Sequence, residues 1–213
     1  MQTLDFWFDP ISPYAWLAFD ALPDALQGLS VQVNYCPVLF AGLLAHWGQK
    51  GPAEISPKRE WTYRDVLWRA HRQGLQLDIP NTHPFNPLPL LRLLLACGAP
   101  GSLPSRHVVE QVFQHVWHGG GEPMDPDRLE ALTARLRPLR SPMDAEVKAE
   151  LKAQTERAIA LGLFGVPSVC VGSKSFWGAD ALGAVSACLR ADPWFDGPDW
   201  AQAARQRAGL RRG

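Results

Sequence analysis

Apolar positions alternate at both ends of this chain and follow a helical period between them. Leu4, Phe6 and Phe8 alternate, which predicts a short buried strand, and Asp9-Pro10 breaks it. Ser12-Pro13 reads as a helix start, with the hydroxyl residue as N-cap and proline in the first turn. The helix runs from Tyr14 to Leu26, with a bend expected at Pro23, and ends by Gly28. Val31 to Cys36 alternates again and stops at Pro37. Strand, helix and strand in so few residues make a βαβ unit with parallel strands.

From about Leu39 the pattern changes. The apolar run Val38–Ala45 leads into an expected loop, His46 to Pro57, rich in glycine and proline. Helical spacing then predicts Lys58–Gln73, closed by Gly74, a proline-rich loop from Leu75 to Leu90, and a buried helix Leu88–Cys97. Further helices are expected from a Ser105 cap to His118, from Asp125-Pro126 through Leu136, and from Asp144 to Leu161. No good strand falls in this stretch. Strand character returns at Val166–Val171, followed by a turn at Gly172-Ser173-Lys174 and a partner strand Ser175–Trp177. A last core helix, Ala181–Leu189, precedes a tail with Trp194, Phe195 and Trp200 that is read as a helix ending in Arg205, Arg207, Arg211 and Arg212.

The order βαβ, helical block, β-hairpin, helix predicts an α/β chain with the thioredoxin topology. A four-stranded mixed sheet (βαβ + ββα) is split by an all-helical insertion. The expected division is a discontinuous thioredoxin-like domain at 1–40 and 160–213, and an insertion at 41–159.

Lys+Arg and Asp+Glu are both 21, so no net charge favours nucleic acid or an anionic membrane. The longest apolar stretch, Leu88 to Cys97, contains Arg92 and is too short to span a bilayer. The first residues carry no basic n-region, and Asp5 and Asp9 interrupt their apolar run, so no secretory signal is expected. Cys36, Cys97, Cys170 and Cys188 form no CxxC and no metal-like spacing, which suits reduced thiols in a cytoplasmic protein. His115 and His118 stand three apart on a helix but lack a third ligand, so no metal is expected. Nine tryptophans favour aromatic-lined cavities.

Strand, sharp turn and helix N-terminus place the Ser12 hydroxyl at the positive end of a helix dipole, where an anion is favoured. Ser12 either only caps its helix or also faces a ligand at the carboxyl end of the first strand. Gly165-Val166-Pro167-Ser168 reads as a plain strand start or, in a thioredoxin-like sheet, as a cis-proline whose preceding backbone pairs with an extended peptide. In Phe176-Trp177-Gly178-Ala179-Asp180, Asp180 either caps the last helix or meets a ligand's ammonium. Gln49, Lys50, Lys58 and Arg59 form either a solvated charge cluster or a site for a ligand carboxylate. His83-Pro84-Phe85-Asn86-Pro87 is a rigid loop able to wall a pocket. There is no G-x-S-x-G turn, no Walker A and no dinucleotide glycine pattern.

Together, Phe8 to Trp16, Gly48 to Arg59, Arg69-Ala70, Asn86-Pro87, Gly165 to Ser168 and Phe176 to Asp180 resemble the 2-hydroxychromene-2-carboxylate isomerase family. That family is similar to kappa-class glutathione transferases and, more distantly, to the periplasmic disulfide oxidoreductases. The resemblance implies a dimeric thioredoxin-fold enzyme that binds glutathione. It sets Ser12 against the glutathione sulfur, the Val166 backbone before Pro167 against the cysteinyl unit, and Ala179 and Asp180 near the γ-glutamyl end, with Trp177 also among the glutathione-binding residues. Lys58 matches a lysine of that site, and Gln49 stands where the family often has asparagine. The disulfide oxidoreductases carry CxxC where this chain has Ser12-Pro13-Tyr14-Ala15, so their redox chemistry is excluded at this position. The implied reaction interconverts 2-hydroxychromene-2-carboxylate and trans-o-hydroxybenzylidenepyruvate in aromatic breakdown. Tyr14, Trp177 and Asn86 would wall the aromatic 2-oxo carboxylate, and Lys58 or Arg59 would supply a cation. A transferase or peroxidase on other electrophiles and a non-catalytic glutathione-binding module are the alternatives.

Overall fold

The computed structural model describes residues 1–205. Its sheet contains β1 (Gln2–Phe8), β2 (Val31–Pro37), β3 (Ser168–Val171) and β4 (Lys174–Trp177) in the order β2-β1-β3-β4. β1 pairs parallel with β2, Phe6 opposite Tyr35, and antiparallel with β3, Phe6 opposite Val169. β3 and β4 form the antiparallel hairpin. This is the thioredoxin fold, with β1 joining the two ends of the chain. β3 starts two residues later than the apolar run suggests, because Pro167 has no N–H to give a ladder. β4 takes in Lys174, which was expected in the turn.

Helix α1 (Pro13–Ala25) joins β1 to β2, and Pro23 sits in its last turn. Between β2 and β3 lie α2 (Phe40–Trp47), α3 (Ser56–Gln73), α4 (Leu88–Ala96), α5 (Arg106–Trp117), α6 (Pro126–Leu136) and α7 (Ala145–Ala160). Short polar residues start several of these helices. Ser105 Oγ accepts from Val108 N at 3.4 Å, and Asp125 Oδ1 accepts from Arg128 N at 3.0 Å with Pro126 following. The apolar run after β2 is itself helix α2, and it extends two residues into the expected loop before Gly48 closes it in a left-handed conformation. A 3₁₀ turn, Pro52–Glu54, occupies part of that loop. After β4 come a 3₁₀ turn (Ala179–Ala181), α8 (Leu182–Leu189), another 3₁₀ turn (Pro193–Asp196) and α9 (Pro198–Ala203). Arg205 follows α9, while Arg207, Arg211 and Arg212 lie outside the described residues.

The two-residue period of β1 sorts its side chains between two cores. Leu4, Phe6 and Phe8 face α1 and α5. Phe113 of α5 lies 5.3 Å, centroid to centroid, from both Phe8 and Phe19. Trp7 faces the other way, among Cys36, Val38, Leu43 of α2, Ala158 of α7, Leu163 and Cys170. The inserted helices therefore complete the core on both faces of the sheet.

Candidate active site at the start of α1

The site grows from the four-residue turn between β1 and α1. Asp9 is fully buried there. Its Oδ1 accepts from Ile11 N at 3.0 Å, and its Oδ2 accepts from Phe40 N at 2.9 Å at the start of α2. Burial pushes the Asp9 carboxyl up to about 7, against the pull of those two N–H groups toward the anion. Ser12 N donates to Asp9 O at 3.0 Å, closing the turn. Ser12 Oγ accepts from Ala15 N at 3.2 Å and donates to Val166 O at 3.4 Å. The turn thus places one buried hydroxyl at the positive end of α1, touching a segment 154 residues away.

That segment is Gly165 to Ser168. The Val166–Pro167 bond is cis. Pro167 O accepts from Gly178 N at 3.0 Å, and Ser168 Oγ donates to Gly165 O at 2.7 Å. Val166 is 7% exposed, and among the described residues its N–H meets no backbone acceptor. An unpaired backbone donor beside a strand is chemically able to pair with a ligand's carbonyl. Trp177 lies over Gly165, where an added Cβ would stand 2.6 Å from its Nε1, and its ring meets Phe164 at 5.0 Å between centroids. Both aromatic rings are substantially exposed, Trp177 by 57%.

The other expected residues divide. Ala179 and Asp180 lie in the 3₁₀ turn before α8. Asp180 does not cap that helix, which starts at Leu182 without a side-chain cap. Among the described residues its carboxylate enters no ion pair. Tyr14 gives its hydroxyl to Asp65 Oδ2 at 2.9 Å, and Arg69 Nε reaches the same oxygen at 2.7 Å. Burial first, then the Asp65 carboxylate, pushes the Tyr14 phenol up to about 12. Its ring edge can still border a ligand, but its hydroxyl is engaged. Asn86 is exposed, and its Oδ1 accepts from Leu88 N at 3.1 Å at the start of α4. Gln49, Lys58 and Arg59 are exposed, and no hydrogen bond joins their side chains to the Ser12 turn among the described residues. Val166, Pro167, Trp177, Ala179 and Asp180 are therefore gathered with Ser12 at one end of the sheet, whereas no contact ties the cationic loop to it.

Residues 3–190 match the model of the DSBA-like thioredoxin domain. The chain belongs to that family. Within it, this DSBA-like chain is 27% identical over 194 residues to 2-hydroxychromene-2-carboxylate isomerase of Sphingobium xenophagum, covering 85% of this chain and 94% of the relative. It is also 27% identical over 222 residues to glutathione S-transferase kappa 2 of Caenorhabditis elegans, covering 92% and 95%. The solved structure of a 2-hydroxychromene-2-carboxylate isomerase superposes with a TM-score of 0.77 at 21% identity, over 93% of this chain and 98% of that one.

In this DSBA-like domain the four cysteines are all free thiols. Burial is the largest cause raising each of their pKa values, that of Cys97 to about 11. They are poor nucleophiles at neutral pH. His115 Nε2 is bonded to Pro123 O at 2.8 Å, and His118 packs edge-on against Trp16. Among the described residues no cluster could hold a metal ion, and no helix is long and apolar enough to cross a membrane. Two surface hollows, of about 470 and 230 Å³, have no tryptophan in their lining. Three residues that build the Ser12 turn escaped the sequence reading. Asp9 was legible only as a strand breaker, Trp117 only as part of an expected helix, and His83 only as part of a rigid loop.

Proposed function

We propose that this protein is a glutathione-dependent isomerase that interconverts 2-hydroxychromene-2-carboxylate and trans-o-hydroxybenzylidenepyruvate. The observation that carries the reading is the contact between the Ser12 hydroxyl and Val166 O, beside an unpaired Val166 N–H. A peptide laid along Val166 would pair its backbone there, with its cysteinyl sulfur beside Ser12. Asp180, free of ion pairs among the described residues, suits the α-ammonium of a γ-glutamyl group. The relatives named above, an isomerase and a kappa-class transferase, support the same ligand.

When bound, glutathione supplies a nucleophilic sulfur that adds reversibly to a conjugated carbon and departs after rotation about the former double bond. The chain's task is to favour the anionic sulfur. A free thiol has a pKa near 8.5, and lowering it by about two units takes roughly 2.7 kcal/mol. A charge-assisted hydrogen bond and a helix N-terminus together are of that size. The 3.4 Å bond from Ser12 Oγ to Val166 O is long, so its proton is cheaply redirected to a sulfur, while Ala15 N holds the oxygen in place. Ser12 is therefore a donor rather than a nucleophile. The exposed Trp177 and Phe164 rings and the Tyr14 ring edge suit an aromatic substrate, and Lys58 or Arg59 suits its carboxylate.

The test is turnover of 2-hydroxychromene-2-carboxylate with and without glutathione, beside 1-chloro-2,4-dinitrobenzene. Isomerisation that requires glutathione and falls about 10- to 100-fold in Ser12→Ala supports the proposal. Turnover of the chlorobenzene alone points to a transferase, which the kappa-class relative favours equally. A Ser12→Ala effect on affinity alone, with no rate to lose, points to a binding module.

A further inference from the structure

The Asp9–Ser12 turn is held by groups from outside the βαβ unit. Its two internal carbonyls each have one side-chain donor. Trp117 Nε1, at the end of α5, donates to Pro10 O at 3.0 Å, and His83 Nε2, in the loop before α4, bonds Ile11 O at 2.7 Å. Trp117 is fully buried, and the His83 ring packs against it at 5.5 Å between centroids and against Phe85 at 6.0 Å.

From this arrangement we infer that His83 and Trp117 are positioning residues: by gripping the Ile11 and Pro10 carbonyls, they aim the Ser12 hydroxyl at the ligand's sulfur. The inference rests on the glutathione reading above. A carbonyl can only accept, so His83 Nε2 carries the ring proton. Burial lowers the His83 pKa and favours the neutral ring, whose Nδ1 then accepts from the Tyr63 hydroxyl of α3 at 2.8 Å, the shorter of that hydroxyl's two contacts, the other being His83 O at 3.1 Å. Tyr63, His83 and Ile11 thus form a chain of hydrogen bonds from α3 to the residue before Ser12. Pro10 has no N–H, and the Ile11 and Ser12 N–H groups both go to Asp9. Side chains from elsewhere satisfy the two carbonyls.

The consequence for Ser12 is geometric. Losing either grip frees a peptide plane to rotate, and the Ile11–Ser12 plane carries the Ser12 backbone with it. A hydroxyl whose bond to Val166 O is already 3.4 Å has little tolerance for such a shift. Positional errors of this order are costly in an organised site. The helical insertion is then part of the site's machinery, although among the described residues none of its side chains bonds to the Ser12 side chain.

The experiment compares wild type with Trp117→Phe, which keeps a ring and removes the N–H, with His83→Leu, which removes the donor, and with His83→Gln, which restores an amide donor. Two quantities are read in each. The first is amide hydrogen exchange over residues 9–16 without ligand. The second is the pKa of bound glutathione, from its thiolate ultraviolet absorbance. Affinity for S-methylglutathione reports whether the rest of the site is intact. The expected result is faster exchange in the turn and about tenfold less bound thiolate at a fixed pH below the pKa in Trp117→Phe and His83→Leu. S-methylglutathione binding stays near wild type, and His83→Gln recovers much of the loss. If Trp117→Phe fails to fold, the two half-buried His83 variants decide alone. A wild type that acidifies glutathione, with unchanged thiol pKa in a folded variant, overturns the positioning role and leaves the glutathione reading standing. A wild type that does not bind glutathione overturns both.

Discussion

At the residue scale the chemistry converges on a few atoms around Ser12, and Asp9 is the one that pH should reveal. Its carboxyl moves from 3.8 to about 7 because burial outweighs two backbone N–H bonds. An acid with a higher pKa folded than unfolded takes up protons on folding. Stability should therefore fall as pH rises from about 4 to about 7 and change no further from this source above that. Thermal melts of Asp9→Asn should show that slope flattened. The substitution should also cost about 1–3 kcal/mol, because the amide nitrogen faces a backbone N–H that the carboxylate accepts. Legibility at this scale was uneven for a physical reason. Ser12-Pro13 follows capping chemistry that is local in sequence, so its place was readable. The partners of Trp117 Nε1 and His83 Nε2 are carbonyls 107 and 72 residues away, and no local pattern encodes them.

At the element scale, the helices were read well where a cap or a glycine marks them, as at Ser105, Asp125-Pro126 and Gly74. α2 was read only as an apolar run. Its N-cap is Leu39, with no side-chain bond, and the support comes instead from distant groups. Asp9 Oδ2 takes Phe40 N and Thr155 Oγ1 takes Leu39 N at 3.1 Å. The junction between β3 and the segment before it shows the opposite case, a glycine set by its neighbour. Gly165 is closed over by the Trp177 indole, so Gly165→Ala should displace that ring. The expected outcome is a loss of about 1–3 kcal/mol in denaturant unfolding, with altered tryptophan fluorescence in the folded state. An alanine that leaves both unchanged would show that the indole moves aside freely.

At the scale of the whole molecule, sheet and insertion share one aromatic core. Phe113 belongs to the insertion by sequence, yet it packs on Phe8, Trp16 and Phe19 of the βαβ unit. Phe113→Ala should cost about 3–5 kcal/mol and do so in a single cooperative transition. Two separate transitions would instead mark the insertion as an independently folding body. The four-stranded mixed sheet was legible because strand periodicity appears only near the two ends of the chain. The depth of the helical contribution was not, since Val109, Val112, Phe113 and Val116 announce a buried helix face without saying what it faces. The same sheet order has a consequence during synthesis. β1 is made first, but the strand on one of its edges emerges only about 160 residues later. At about 5–20 residues per second, a ribosome takes on the order of ten seconds or more to deliver it. Throughout that interval the nascent βαβ unit carries an open edge, a natural point of engagement for a holding chaperone.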